Sequence, residues 1–313
     1  MLRSLLVLMV TAWAGFAAIQ PAVAEPAFPP GLRIGMEPPG DARLSIHFPG
    51  FEDADRKVTI TMLDLPGSAY PQIEASVFSK NPRGIEGLKR ESFPFASGIG
   101  ILASGHSQIN GVTIHRWFLL ATASGGKVQN LTTLITVDVP EPASAVYTDA
   151  VIRKALASVT FRPAPIQEQL GLLPFKLNDL AGLRVVQALP TGGVILTEGP
   201  ANDLNKQPYV IVSVGRGGPD EPDGRGRFAR DLLTSAPVRD LAVQSAESMR
   251  IAGWPGYEIR ATAKGLNGDA ISLVQWLRFG TGGFLRVIAV SHTDAWDAMF
   301  PRFRAVRDGI DLK

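Results

Sequence analysis

Short apolar segments bounded by Pro, Gly and Asp predict β-strands in the first half of the chain. Leu44–Phe48 and Lys57–Leu63 are rich in apolar and β-branched residues. The longer segments Thr113–Ala123 and Val128–Val139 flank Ser124-Gly125-Gly126, which is typical of a hairpin turn. We therefore predict two early strands and one long late hairpin in this half.

Six segments of the second half predict strands in the same way. They are Leu183–Gln187, Val194–Glu198, Pro208–Val214, Gly256–Ala263, Ala270–Phe279 and Phe284–Ser291. The last three form a meander whose turns fall at Gly265–Gly268 and Gly280–Gly283. Hairpin-joined strands with occasional helices indicate an antiparallel α+β fold rather than βαβ units. We expect two similar domains, each a twisted antiparallel sheet of about five to seven strands with helices packed on it.

Apolar residues at helical spacing close both halves. In the first half the stripe runs from Tyr147 to Val159, and Ile73–Ser79 fits a second, short helix. In the second half Phe228–Leu233 predicts a short helix, and a longer stripe covers Trp296–Ile310. These helices are expected to cover the faces of the sheets.

The start and the middle of the last helix carry local signals. Thr293 or Asp294 is expected to cap its N-terminus. Pro301 lies inside the apolar stripe, and proline removes a helical hydrogen bond and clashes with the preceding turn. We therefore expect the helix to kink at Pro301 or to divide into two short helices.

Matches between the two halves indicate an internal duplication. Gly31-Leu32-Arg33-Ile34 recurs as Gly182-Leu183-Arg184-Val185, and Ile109-Asn110-Gly111-Val112 resembles Ile251-Ala252-Gly253-Trp254. Matching Trp117 to Trp276 gives a different register, and the sequence does not decide between the two. Convergent turn chemistry is the alternative explanation, because Gly and Pro recur wherever strands end.

The N-terminal residues 1–24 have the pattern of a secretory signal peptide. Arg3 gives a short positive region, Leu5–Ala18 is almost wholly apolar, and Ala22-Val23-Ala24 offers a small-x-small cleavage site before Glu25. The apolar core is short for a bilayer span, so we expect cleavage and no stable membrane span afterwards. The predicted location is the periplasm of a bacterium.

The rest of the chain divides at a Pro-containing joint. We predict a first domain over residues 25–161, a linker and lead-in over 162–181 that begins with Arg162-Pro163-Ala164-Pro165, and a second domain over 182–313. The 313 residues are enough for two cores. With 31 Lys+Arg against 29 Asp+Glu and no basic block, nucleic acid is not an expected partner. The absence of Cys excludes disulfides and thiolate chemistry.

Two stretches resemble the PsbP-like superfamily, which includes DcrB-type periplasmic proteins. One is Ile251-Ala252-Gly253-Trp254-Pro255-Gly256-Tyr257, and the other is the meander from Ala270 that leads into Trp296–Ile310. Counted twice, the resemblance covers most of residues 28–313. It implies a tandem of αβα sandwiches and an accessory or interaction role rather than catalysis. It carries over no site residues, because the family shares no catalytic ones.

Catalytic and metal-binding patterns were sought among the four histidines, which are His47, His106, His115 and His292. No two of them have helical i, i+4 spacing, and none belongs to an H-E-x-x-H motif. No G-x-S-x-G elbow accompanies them. We therefore predict no catalytic residue, no metal site and no cofactor.

Two groups of residues are candidates for a ligand or partner surface. Arginines of the segment 215–230 could bind an anion together. Aromatic and arginine side chains of the second half could form a partner surface with an arginine rim, although aromatics at this spacing usually belong to a core. The candidates are Arg216, Arg225, Arg227, Arg230, Trp254, Tyr257, Arg260 and Arg278.

The function predicted from the sequence is therefore that of an exported periplasmic accessory or binding protein without catalytic activity. Its expected partner is a periplasmic or envelope protein. Two alternatives stay open at this stage. One is a hydrolase-like enzyme with a polar site in the cleft between the domains, and the other is a small anion or ligand carrier that uses the Arg-rich segment 215–230.

Overall fold

The computed structural model describes residues 25–78, 85–125, 128–189, 192–199 and 201–313. The predicted signal peptide, residues 1–24, lies outside the described residues, as do Ser79 at the end of one predicted helix and Gly126 in the predicted hairpin turn. Within the described residues the fold consists of two seven-stranded antiparallel sheets and two small two-stranded sheets. None of the described helices is both long and apolar enough to span a bilayer.

The first unit comprises nine strands and two helices. They are β1 (Ile34–Gly35), β2 (Arg43–Leu44), β3 (Gly50–Asp53), β4 (Val58–Pro66), α1 (Tyr70–Val77), β5 (Glu86–Phe95), β6 (Gly98–Ile109), β7 (Val112–Gly125), β8 (Val128–Pro140), α2 (Asp149–Ala157) and β9 (Thr160–Phe161). The second unit begins with α3. Its elements are α3 (Ile166–Leu172), β10 (Phe175–Leu177), β11 (Arg184–Leu189), β12 (Gly193–Thr197), β13 (Tyr209–Arg216), α4 (Pro222–Leu233), β14 (Arg239–Ile251), β15 (Trp254–Lys264), β16 (Ala270–Gly280), β17 (Gly283–His292), α5 (Trp296–Asp308) and β18 (Ile310–Leu312).

Both large sheets have the same strand order. The first reads β2-β3-β4-β8-β7-β6-β5 and the second β11-β12-β13-β17-β16-β15-β14. Each unit also pairs a short strand before the sheet with one after the closing helix, β1 with β9 and β10 with β18. The segment 162–181, expected as linker and lead-in, therefore contributes α3 and a paired strand of the second unit.

Backbone pairing defines equivalent positions in the two sheets. Gly50 is the first residue of β3 and Gly193 the first residue of β12, the second strand in each sheet. A Cβ atom on Gly50 would meet the carbonyl oxygen of Ile60, and one on Gly193 would meet that of Val212, so the two glycines are equivalent positions. Followed strand by strand from there, the pairs reach Trp117 in the first sheet and Trp276 in the second. Of the two registers left open by the sequence, the ladders agree with the one that matches the tryptophans.

The two sequence matches between the halves join positions that are not equivalent. The turn at Asn110-Gly111 connects β6 to β7, whereas that at Ala252-Gly253 connects β14 to β15, the counterparts of β5 and β6. Similarly, Gly31–Ile34 leads into β1 and Gly182–Val185 into β11, the counterpart of β2. Turn chemistry explains both matches, because glycines with positive φ recur at these turns. The duplication itself stays a prediction.

The structure differs from the predicted strands in two ways: one predicted strand is shorter, and some observed strands were not predicted. Leu44–Phe48 does not continue as one strand, because the Ser45 hydroxyl accepts hydrogen bonds from the amides of His47 and Phe48 and closes a turn there. The strands β5, β6 and β14 were not predicted. The edge strands β5 and β14 carry polar and exposed residues along most of their length, so no alternating apolar pattern marks them.

The two helices of the second unit also differ from the predictions. Helix α5 is continuous from Trp296 to Asp308 with Pro301 inside it, so the predicted division is wrong. Neither Thr293 nor Asp294 caps it, since the chain enters through a 3-10 turn and the N-cap is Ala295. Helix α4 already begins at Pro222, before the predicted start at Phe228, because proline at the first turn is compatible with a helix.

Helices cover opposite faces of the second sheet. On one face α5 packs through Met299, Phe303 and Val306 into a core that contains Trp276. On the other face α4 packs through Ala229 and Leu233 over β14 and β15. In the first unit α2 covers the face that corresponds to that of α5. On the other face the main contacts of helix α1 are with β7, and among the described residues β5 and β6 have no helix along them that matches α4.

Candidate binding sites

A charged cleft lies between β14, β15 and α5 in the second unit. Its volume is about 250 Å³. We call this cavity the Glu258 cleft. Its lining residues are Glu247, Met249, Glu258, Arg260, Arg304 and Arg307. The strands contribute the carboxylates because Glu247 and Glu258 are directly paired across β14 and β15. The helix contributes Arg304 and Arg307, which at i, i+3 spacing share one face.

Glu258 is the best-connected residue of this cleft. Its carboxylate accepts a 2.6 Å hydrogen bond from Nε1 of Trp276 and a 2.7 Å hydrogen bond from Nε of Arg260. A guanidinium nitrogen of Arg307 lies 3.9 Å away. Because the Glu258 side chain is only 13% exposed, these donors replace most of the water that the carboxylate would otherwise bind.

Two arginines of the cleft stack on aromatic rings. The Arg307 guanidinium lies 4.9 Å from the centroid of the Trp276 ring, and that of Arg260 lies 4.3 Å from the centroid of Phe300. Arg307 is buried and is also bound by both oxygens of Asp308. These contacts fix Arg307 and Arg260 in place.

Arg304 differs from both, because no hydrogen bond or ion pair holds it within the described part of the chain. Its counterpart in the first unit is Arg153, since each lies four residues before the last residue of its helix. Arg153 binds Asp149 at 2.6 Å and Glu91 at 2.7 Å.

Neither carboxylate partner of Arg153 is present around Arg304. The positions of Asp149 and Glu91 are taken by Phe300 and Met249 in the second unit. Arg304 is therefore exposed at the wall of the cleft while the matching arginine of the first unit is neutralised.

A second cavity of about 590 Å³ opens on the first sheet beside α1. We call it the Ile99 recess. Its lining residues are Tyr70, Glu74, Phe78, Arg90, Glu91, Ser92, Ile99, Gly100, Ile101, Leu120, Ala121 and Thr122. Ile99 is 72% exposed at its rim, whereas Phe78 and Leu120 are buried in its floor. Each of the two cavities is lined from one unit alone, so neither of them is the inter-domain cleft expected for an enzyme.

The candidate arginines of the segment 215–230 do not form one described site. Arg216 ends β13, and the other three lie on α4. Arg225 donates to the carbonyl of Asp220 and lies over the Phe279 ring, whereas Arg227 is two residues along the helix and points to a different side. No contact among the described residues joins Arg225, Arg227 and Arg230 at one point.

The residues predicted to form a partner surface also lie at different places in the structure. Tyr257 is buried under α4, and Trp254 is half exposed at the tip of the β14–β15 hairpin. Arg278 is buried beneath β18, where it donates to the carbonyl of Ile310 and where burial lowers its pKa. Arg260 alone among the candidates lines the Glu258 cleft.

Two of the four histidines lie beside carboxylates. His115 contacts Glu141, and His106, its partner across β6 and β7, lies 3.4 Å from Glu86. Among the described residues no group of His, Asp and Glu is arranged to hold a metal ion.

Sequence reasoning missed Glu247, Glu258, Arg304 and Arg307. The i, i+3 spacing of Arg304 and Arg307 on the last helix was a readable signal. The carboxylates were not readable, because β14 itself was not predicted.

Comparison with known proteins gives structural matches only. No family profile and no curated protein sequence matches the chain. LpqN, involved in cell envelope biogenesis of Mycobacterium tuberculosis, is 12% identical and covers 44% of this chain and 83% of its own, with a TM-score of 0.37. PsbP (CyanoP) from Synechocystis sp. PCC 6803 is 15% identical over 45% of this chain and 87% of its own, with a TM-score of 0.34.

A third match spans both units. The T6SS immunity protein TplEi of Pseudomonas aeruginosa is 11% identical and covers 92% of this chain and 96% of its own, with a TM-score of 0.29. A PsbP protein is thus among the solved structures that match this chain.

Proposed function

We propose that this protein is an exported accessory protein of the bacterial envelope that binds a protein partner and has no catalytic activity of its own. The observation that supports this function best is the Ile99 recess. Its apolar floor of Phe78, Ile101 and Leu120 is bordered by Glu74 and polar residues of β5, and protein-binding surfaces commonly combine an apolar centre with a polar rim.

The comparison between the two units strengthens the assignment. In the second unit α4 covers the surface of β14 and β15, and its apolar residues complete the core. In the first unit the described helix on this face, α1, has its main contacts with β7, and Ile99 is exposed at the β5–β6 hairpin. An apolar segment of a partner would bury this surface as α4 buries its counterpart.

We further propose that each sheet with its helices is a PsbP-like αβα sandwich and that the two arose by duplication. The shared strand order and the shared pairing of the outer short strands support this. In this proposal residues 25–161 form one domain, and 182–313 form the other together with β10 from the segment 162–181.

A photo-crosslinking amino acid at position 99, introduced into the full chain in its native host, tests the binding function. We expect one dominant adduct with an envelope protein, and Phe78→Asp is expected to remove it. The matched control places the crosslinker at Leu266, which is similarly apolar and 54% exposed in a turn of the second unit. Equal adduct patterns at positions 99 and 266 would contradict the proposal.

Export is tested separately. Cell fractionation should recover the chain in the periplasm, and sequencing of its N-terminus should begin at Glu25. Recovery of uncleaved chain in the cytoplasm would contradict the predicted location.

A further inference from the structure

The Glu258 cleft contains two side chains of opposite charge that have no described partner within the protein. Arg304 on α5 and Glu247 on β14 both line the cavity, both are exposed, and neither makes a described hydrogen bond or ion pair. The other charged residues of the cleft are engaged, since Arg260 binds Glu258 and Arg307 binds Asp308.

The first unit shows what a purely structural arrangement looks like at this place. There Arg153 is held by Asp149 and Glu91. In the second unit an aromatic ring and a thioether replace both carboxylates, and Glu247 takes the position of Lys89. The second unit therefore has the arginine without its carboxylate partners, and it has a carboxylate, Glu247, on β14.

The remaining lining favours a small ligand with both signs of charge. The cleft has three arginines against two glutamates, so a simple cation would meet an excess of positive charge. A multiply charged anion would be repelled by Glu247 and by Glu258, which is directly paired with it across the strands. A ligand with one carboxylate and one ammonium group meets neither penalty.

We propose that the Glu258 cleft binds a small zwitterion, with its carboxylate on Arg304 and its ammonium group on Glu247. Arg260 lines the same cleft, and the guanidinium nitrogens that do not donate to Glu258 can add a hydrogen bond to the carboxylate. The volume of about 250 Å³ admits a compact molecule of amino-acid size rather than a folded partner. This inference does not depend on the Ile99 recess.

Calorimetric titration of the full mature chain with a homologous series of probes tests the proposal. The probes are glycine, β-alanine, 4-aminobutyrate and 6-aminohexanoate, whose charges are progressively farther apart. Acetate and methylammonium carry the single charges as controls. We expect one member of the series to bind more tightly than either control by about tenfold or more, because it alone satisfies both charges.

A spectroscopic readout places the binding at the cleft. The indole N–H of Trp276 donates to Glu258, so its NMR resonance should shift when the best probe binds, while that of Trp117 in the first unit should not. Arg304→Met and Glu247→Gln should each weaken binding by about tenfold. The matched variant Arg153→Met changes the equivalent arginine of the first unit and should leave binding unchanged.

Three results would overturn the proposal. The first is that no probe of the series binds. The second is that acetate binds as tightly as the best zwitterion, which would make the cleft a simple anion site. The third is that Arg153→Met weakens binding as much as Arg304→Met does. Because Arg304 is exposed whereas Arg153 is partly buried and paired with two carboxylates, circular dichroism of both variants checks that the fold is intact.

Discussion

Trp276 on β16 donates its indole N–H to the carboxylate of Glu258 on the neighbouring strand β15. At the equivalent position of the first sheet, Trp117 donates to Asp149, which lies on helix α2 rather than on a strand. The same indole is therefore satisfied from the helix layer in one unit and from the sheet in the other. In the second unit this leaves the helix free to present arginines to the Glu258 cleft.

Replacement of Trp276 should destabilise the second unit. Trp276→Phe removes the hydrogen bond to Glu258 and part of a fully buried ring, so we expect a loss of about 2–4 kcal/mol in the free energy of unfolding. Urea titration followed by circular dichroism measures it. The control is Trp254→Phe at a half-exposed site, for which about 0.5 kcal/mol or less is expected. Equal effects of the two would contradict the role given to Trp276.

The phenol of Tyr147 should control the acid sensitivity of the first unit. Tyr147 donates a 2.7 Å hydrogen bond to the buried carboxylate of Asp53. Burial alone would raise the pKa of Asp53, but hydrogen bonds from Tyr147 and Arg56 outweigh it and hold this pKa below its ordinary value. A carboxyl whose pKa is depressed by folding stabilises the protein above its unfolded pKa of about 3.9, and this stabilisation is lost as the pH falls through the folded value.

Tyr147→Phe should therefore change both stability and its pH dependence. At neutral pH we expect a loss of about 1–3 kcal/mol, because the buried carboxylate loses a donor. The pKa of Asp53 should rise, so the variant should lose less further stability than the natural protein between neutral pH and pH ~3. Thermal unfolding at a series of pH values measures this. Parallel pH profiles would show that Tyr147 does not control the titration of Asp53.

Gly226 should be required by the packing of α4. A Cβ atom at this position would lie 2.9 Å from the hydroxyl oxygen of Tyr257 and 3.1 Å from the adjacent ring carbon. Gly226→Ala should lower the melting temperature although alanine is the better helix former. Gly171→Ala on α3 is the matched control, because nothing lies within 4 Å of its Cβ position, and it should be neutral or stabilising. Partial recovery in the double variant Gly226→Ala, Tyr257→Phe would confirm the contact.

Glu168 on α3 should hold that helix against the first unit. Its carboxylate accepts hydrogen bonds from the Arg162 guanidinium at 2.6 and 2.8 Å and from the amide of Gly31 at 3.1 Å. These donors lower the pKa of Glu168, with Arg162 as the largest cause. Glu168→Ala should speed hydrogen exchange of the Gly31 amide, measured by NMR, and should leave exchange of the Ile152 amide in α2 unchanged. Unchanged exchange at Gly31 would show that the contact does not hold α3.

The sequence predicted the buried centre of each sheet better than its borders. The strands β7, β8, β15, β16 and β17 followed from apolar and β-branched content, and their hairpin turns from glycine. The edge strands β5 and β14 were not predicted, because an exposed edge needs no apolar alternation and is often polar and bulged. The helix over Trp296–Ile310 was predicted, but its division at Pro301 does not occur, because tertiary packing of Phe303 and Val306 overrides the local cost of Pro301.

The candidate residues show the same limit. Arg260 was named for a rim of arginines around a partner surface, and it does line a cleft. The arginines Arg225, Arg227 and Arg230 were grouped because they are close in sequence, but a helix distributes such residues around its circumference. The pairing of Glu247 with Glu258 could not be predicted because β14 itself was not predicted, although the register is continuous from this pair to the turn at Ala252-Gly253.

The pairing of β10 with β18 affects how the chain can be divided for experiments. A fragment that starts at Gly182 retains every strand of the second large sheet but lacks the strand that covers Ile310 and Leu312 at the C-terminus. The backbone groups of β18 would then face solvent, and such an open strand readily pairs with another molecule. A fragment that starts at Ile166 keeps this strand in place, so the two truncations should differ in their tendency to aggregate even though both contain the whole large sheet.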